Sequence, residues 1–266
     1  MFGIEKVLVE NNFAVYLSGY LKEKYGIVFC FTDRNGGFSG DKFESLNAGY
    51  HTGDSSMNVK KNRTKILKKL GFNETGKLYS VKQVHGSRIL NIGKDFNLNR
   101  DDIRKEADCL LTGLRYVPIM VMGADCNLIL ITDIKKKIVA AVHAGWKGTL
   151  QKIAAKVIFY MKDKFGSRNK DIIAAFGPSI RKCCYRVDSS MIKKFTDRFS
   201  FNNFYELRDN SFYLDLVKVN RMQLEEAGIG KNNIYDCMEC TFCNHNFYSY
   251  RRSGITGRQA AVAVIL

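Results

Sequence analysis

The chain has 266 residues, of which 45% are hydrophobic and 12% aromatic, with only two prolines; this composition can bury a core and excludes the disordered and collagen-like classes. Forty-two basic residues against 26 acidic ones leave a net charge of +16, which draws anions such as phosphate esters or nucleic acid. The basic runs 60–69, 133–137 and 161–170 read as solvated faces, so the charge by itself marks no site.

In chain order, the first thirteen residues lack a charged segment followed by an unbroken apolar run and a cleavage site, which argues against a secretory leader and for a cytoplasmic protein. Residues 26–32 are β-rich and aromatic, as a strand would be, and 34–40 carry Asn-Gly and Gly-Gly turn signals. Val59, Ile66, Leu67 and Leu70 share one face of a helix over 56–70 that Gly71 terminates. Short apolar runs at 78–84, 117–122, 128–132 and 138–143 predict buried strands. A helix follows over 149–165, with Thr149 as N-cap and Gly166 as the residue that ends it. Residues 172–176 read as a strand, 189–199 and 212–227 as helices, and 260–266 as a closing strand. The longest apolar stretch, 116–132, is cut by Pro118, Gly123, Asp125 and Asn127, so no segment is expected to span a membrane. This mixture predicts an α/β (α+β) fold, a mixed sheet covered by helices, in one domain over 1–266 with no Pro/Ser-rich linker to divide it.

Histidine is scarce: His51, His85, His143 and His245 are the full set. His85 and His143 each close an apolar run where the chain turns through glycine, and Cys126 sits at another glycine break beside strand-like sequence. Sites collect at strand ends. Two imidazoles and a thiolate would make three protein ligands with a fourth position open, the arrangement of a catalytic zinc; the alternative is two core or loop histidines and a small buried cysteine. In a reducing compartment the eight cysteines are not expected to form a disulfide framework, and adjacent Cys183 and Cys184 suit an ordinary disulfide poorly. Cys237, Cys240 and Cys243, just before His245, have the spacing of a structural zinc or iron–sulfur trio. Arg251, Arg252 and Arg258 offer guanidinium forks beside glycines. Ala107-Asp108-Cys109 recurs as Ala124-Asp125-Cys126, a single short match that does not establish a repeat.

Several longer motifs occur together: FESLNAGYHTGD (43–54) with Asn62-Arg63, SVKQVHG (80–86), ADCLLT (107–112), MGADCNLILITD (122–133), VAAVHAGWKGT (139–149), FGPSIRKCCYRVD (176–188) and the segment 240–266. In this order they make residues 43–266 resemble the YfiH-type proteins, once labelled multicopper polyphenol oxidases or laccase-domain proteins and now described as purine nucleoside phosphorylases. The resemblance implies that His85, Cys126 and His143 are zinc ligands and catalytic residues. It implies β-sheets sandwiched between helices, a fold shared with cytotoxic-necrotizing-factor-like cysteine hydrolases. It also implies phosphorolysis of adenosine, inosine, guanosine and methylthioadenosine, with some adenosine deamination. Purine nucleosides and phosphate are then the partners, and the chain is expected as a monomer or homodimer. Asn47, Arg63 and Gln83 are the candidate substrate contacts. This chain departs from the family pattern at Lys147, Arg186 and Cys109; Lys147 keeps the charge of the usual arginine but loses its fork.

Copper chemistry of the laccase kind needs a blue-copper centre and further copper sites, which four histidines cannot supply; zinc suits the inventory better. Two alternatives stand beside the phosphorylase reading: a cysteine or zinc amidohydrolase editing cell-wall precursors, with Cys126 as nucleophile, and a basic nucleic-acid-binding module carrying Cys237, Cys240 and Cys243 as a structural knuckle.

Overall fold

Alternation along the strand Ile27–Thr32 sets the plan of the molecule. Phe29 and Phe31 enter one apolar cluster while Val28 and Cys30 enter another, so the strand is covered on both faces and reads as a continuous apolar run. The computed structural model describes residues 5–8, 14–17, 19–73, 76–97, 102–201 and 203–266. Of the N-terminal stretch that argues against a leader, residues 1–4 and 9–13 lie outside the described residues.

Two sheets carry the core. An antiparallel one runs in the order Glu5–Leu8, Ala14–Leu17, Ile27–Thr32, Gln259–Ile265, Ile119–Gly123. A mixed one runs in the order Ile234–Asp236, Ile172–Phe176, Asn127–Asp133, Ile138–Ala144, Cys109–Thr112, Ile89–Ile92, with parallel pairing at its two ends. Phe29, Phe31, Val121 and Ala263 from the first sheet share a cluster with Leu110, Leu130, Val139 and Ala175 from the second, which places the main core between the sheets. Beyond the second sheet, Ile129, Ile131 and Val142 pack with Val157 and Met161 of the helix Ile153–Phe165 and with Leu224 of the helix Leu216–Glu226. Beyond the first, Val28, Met120 and Val262 pack with Ile66 and Leu67 of the helix Ser56–Lys69. Helix, sheet, sheet and helix thus stack in layers, as expected. Each strand buried on both faces offers roughly 1.5–3 kcal/mol per large side chain removed from water. Among the described residues, no helix is long and apolar enough to cross a membrane.

Most predicted elements form where periodicity placed them, and the exceptions have identifiable causes. Gly71 and Gly166 end their helices with φ of +89° and +64°, the left-handed conformation that glycine adopts without strain. The helix expected over 149–165 is two pieces, Trp146–Leu150 and Ile153–Phe165, broken where Lys152 takes a φ of +59°. Thr149 is therefore not an N-cap: it lies inside the first piece, where Asn220 donates to its hydroxyl at 2.9 Å and Gln223 to its carbonyl at 2.9 Å. The helix expected over 212–227 begins instead at Leu216, because Asp215 caps it by accepting from the Lys218 amide at 2.9 Å. Ser211–Leu214 pairs as a strand with Tyr205–Arg208. The apolar run 78–84 yields only the strand Ser80–Lys82, since the Gln83 side chain exchanges two hydrogen bonds with the Met122 backbone, at 2.7 and 2.8 Å.

Candidate active site

Register brings the proposed ligands together. His143 is the next-to-last residue of its strand, and pairing of Ala144 with Asn127 sets Cys126 beside the end of that strand. On its other side, Val142 pairs with Cys109, which sets Asp108 beside His143. His85 comes from the turn after Ser80–Lys82, with a φ of +59°, a conformation that an L-residue holds only when its surroundings enforce it. The ligand atoms of His85, Cys126 and His143 all lie within 4.8 Å of one another. The two imidazoles meet edge to face, centroids 4.8 Å apart. His143 is buried, Cys126 half-buried and His85 exposed, so the group opens on one side.

Asp108 supplies the enforcement. It is fully buried, and one of its oxygens receives His143 Nδ1 at 2.8 Å and the His85 amide at 2.9 Å, while the other receives the Gly86 amide at 2.7 Å. A carboxylate only accepts, so His143 in its neutral form keeps its proton on Nδ1 and leaves the Nε2 lone pair free for a metal; this is the orienting role a carboxylate plays behind a metal-binding histidine. Burial works to raise the Asp108 carboxyl, but the His143 hydrogen bond and charge and the amides of Gly86 and Val84 outweigh it and hold it below the usual carboxylate range.

Without a metal, the thiol and imidazole form an ion pair. Burial pushes the Cys126 thiol up, yet His143, with a smaller part from His85, brings it down to about 6. Burial pushes His143 down, yet Cys126 and Asp108 bring it up to about 9. A divalent ion requires thiolate and neutral imidazole. Between about pH 6 and about pH 9 the thiolate is already present and His143 holds the one proton that the ion must displace. Metal affinity should therefore rise about tenfold per pH unit across this window, with about one proton released per ion bound. Calorimetry in buffers of different ionisation enthalpy reads that proton directly; an affinity that is flat across the window would contradict the pair.

A glycine keeps clear the space beside two of these side chains. A Cβ on Gly145 would stand 2.9 Å from the His85 ring and 3.1 Å from the Cys126 sulfur. Gly145→Ala should thus displace two ligands at once and lower zinc affinity by about 10–100-fold, on the scale of lost ligand positioning, as measured by competition with a chromogenic chelator. Unchanged affinity would show that the ligands do not need this space.

The three side chains lie in the wall of a cavity of about 480 Å³ that also exposes Trp146, Tyr185, Arg251 and Arg258. Burial pushes the Tyr185 hydroxyl up to about 12, and Arg251 lies over its ring at 5.1 Å. A second cavity of about 450 Å³, lined by Tyr50, Arg63, Ser80 and Lys82, shares His51, Gln83 and Met122 with the first.

The candidate substrate contacts fall in different places. Gln83 lines both cavities, with its amide spent on Met122. Arg63 lines the second cavity, donating to the Ala48 carbonyl at 2.9 Å and lying 4.2 Å over the Tyr50 ring. Asn47 is buried, and its amide binds Thr52 and Asp54 while its oxygen accepts from the Gly49 and Arg258 amides, both near 3 Å; it braces the loop that carries Arg258. Lys147 sits over the Trp146 ring at 5.5 Å, the Arg186 carbonyl accepts from Arg251 at 2.7 Å, and Cys109 is buried in the core.

The cysteine trio is corrected. Cys237 packs against the main core and binds the Phe176 carbonyl through its amide. Cys240 and Cys243 instead meet Cys183 and Cys184, so the local knuckle does not form.

Asp108 went unread in the sequence. Its one signal is the recurrence of Ala-Asp-Cys, whose second copy places Asp125 in a comparable bracing role: Asp125 accepts from Thr241 at 2.7 Å and from the Arg251 amide at 2.6 Å. The two copies part at the cysteine, Cys109 facing the core and Cys126 the cavity.

Known proteins resemble the chain as a whole. The crystal structure of the hypothetical protein YfiH from Bacillus licheniformis superposes with a TM-score of 0.87 at 28% identity, covering 98% of this chain and 99% of that one. Purine nucleoside phosphorylase YlmD of Geobacillus stearothermophilus is 33% identical over 245 residues, 89% of each chain. Adenosine deaminase RL5, from an unknown prokaryotic organism, is 32% identical over 221 residues, 80% of this chain and 84% of its own. With residues 28–266 matching its family-wide pattern and relatives of this identity and coverage, the chain belongs to the family described as multi-copper polyphenol oxidoreductase laccase.

Proposed function

We propose that the chain is a zinc-dependent purine nucleoside phosphorylase acting on adenosine, inosine, guanosine and methylthioadenosine, with adenosine deamination as a side activity. The carrying observation is the three-ligand group, braced by Asp108, in the wall of a cavity that also presents aromatic rings and guanidinium groups. The donor set fits zinc: two nitrogens and one sulfur within a common reach, with an open side. It does not fit the several copper sites of a laccase, because the chain has only two histidines beyond the pair. A bound zinc would supply Lewis-acid polarisation of a substrate oxygen or nitrogen.

The chain's own groups account for the remainder. Trp146 and Tyr185 offer faces against which a purine stacks, and Arg251 and Arg258 attract phosphate. In phosphorolysis a phosphate oxygen bonds to the ribose anomeric carbon as the glycosidic bond breaks, and the electron pair leaves with the purine, which is then protonated. Fixed positive groups around the cavity favour the charge that builds up in that step. In deamination, in the same cavity, water bonds to the purine carbon that bears the amino group and the amino group leaves as ammonia. The test is product analysis from adenosine with and without phosphate, before and after chelation. Ribose 1-phosphate and adenine formed only with phosphate and metal support the proposal; inosine alone would make the chain a deaminase, and neither product would overturn the reading.

One observation favours a second reading. Cys126, His143 and Asp108 also have the order of nucleophile, base and orienting acid, the machinery of a cysteine amidohydrolase. Covalent trapping of Cys126 by an amide substrate in zinc-free protein would establish it.

A further inference from the structure

Outside the cavity, four more sulfurs converge. Cys183 and Cys184 lie between the strands Ile172–Phe176 and Arg186–Val187, and Cys240 and Cys243 follow Ile234–Asp236. All four sulfurs lie within 4.8 Å of one another. The close pairs are 3.2 Å for Cys184 and Cys243, 3.5 Å for Cys183 and Cys240, and 3.7 Å for Cys183 and Cys243.

These separations bracket what a single ion requires. A tetrahedral ion with four sulfurs at about 2.3 Å sets them about 3.8 Å apart. A disulfide would need about 2.05 Å, and a multi-iron cluster would spread its thiolates more widely than one ion does. Packing does not explain the group either, since Cys183 and Cys243 are exposed.

An ion pair and backbone hydrogen bonds hold the two loops in place independently of any ion. Arg181 forks onto Asp236 at 2.7 and 2.5 Å, the Ser179 amide donates to the Glu239 carbonyl at 3.2 Å, and the Thr241 amide donates back to Ser179 at 3.1 Å. The Cys184 amide closes a turn onto Arg181 and the Asn244 amide one onto Cys240, each at 2.9 Å.

We propose that Cys183, Cys184, Cys240 and Cys243 form a second metal site, a closed tetrathiolate for a single structural zinc-class ion, separate from the His85–Cys126–His143 group. Four thiolates this close carry like charges that a cation offsets, and binding sends the thiol protons to solvent. The site ties two segments distant in sequence. Its next residue, Tyr185, lines the cavity, and the turn it closes carries Thr241, which donates to Asp125 beside Cys126. The ion therefore acts as a clamp on the cavity wall and takes no part in the chemistry.

The test is metal counting on the full chain by mass spectrometry after exchange into zinc-free buffer. Two zinc ions per wild-type chain are expected, one in Cys126→Ala and one in Cys184→Ser/Cys243→Ser. Should the double variant fail to fold, wild type still decides: Cys183 and Cys243 should resist iodoacetamide until a strong chelator is added. Cobalt-loaded Cys126→Ala should show the intense sulfur-to-metal absorption of four thiolates. A single zinc per wild-type chain with Cys183 and Cys243 freely alkylated would overturn the site. So would a chain lighter by two hydrogens with Cys184 bonded to Cys243.

Discussion

Cys126→Ala is expected to lose the ion from the cavity and to lower nucleoside turnover roughly a thousandfold or more, the scale of removing a principal electrostatic stabiliser from an active site. The sulfur is the one anionic member of the three proposed ligands, and without it two imidazoles remain, one of them exposed. His143 also loses the thiolate that holds it protonated, while Asp108 keeps the ring in place. The fold should survive, because Cys126 is half-buried in a loop and belongs to no apolar cluster. Loss of activity alone would not separate a ligand from a nucleophile. Cys126→Asp does: two histidines and a carboxylate are also a catalytic zinc set, so this variant should recover metal and part of the turnover, whereas a nucleophilic thiol has no such replacement. Retention of both metal and full activity in the alanine variant would refute the assignment.

The second large effect is expected from Asp108→Asn. An amide has one accepting and one donating end, but Asp108 meets donors at both oxygens: His143 Nδ1 and the His85 amide at one, the Gly86 amide at the other. Whichever way the asparagine lies, its NH₂ faces an N–H group at a fully buried position. We expect a loss of about 3 kcal/mol in urea unfolding, the scale of breaking a buried charged pair. Zinc affinity should fall about 10–100-fold, as when an orienting partner of a metal-binding histidine is removed. A variant with wild-type zinc affinity would show that Asp108 braces the fold alone. If stability held while affinity fell, its role would be confined to the ligands.

Particular residues show how far the sequence could be read. The strands 128–132, 138–143 and 172–176 are legible because they are buried on both faces and so appear as unbroken apolar runs. The strand Cys109–Thr112, which is equally buried, is four residues long between Asp108 and Gly113 and gives too short a signal to separate from a loop. The break at Lys152 is invisible because Leu150 and Ile153 keep helical spacing across it. His85, Cys126 and His143 stand out by scarcity and by their glycine neighbours. Asp108 does not, because its role depends on the register between two strands, and register is a property of tertiary pairing. For the same reason the spacing of Cys237, Cys240 and Cys243 misled: local intervals cannot reveal that Cys183 and Cys184 arrive from another loop.

The place of Gln259–Ile265 bears on how the molecule is made. It lies between Ile27–Thr32 and Ile119–Gly123, so both neighbours leave the ribosome long before the strand that joins them is synthesised. Until then the nascent chain carries two unpaired apolar edges, the kind of surface that associates with other chains. Such long-range closure slows folding.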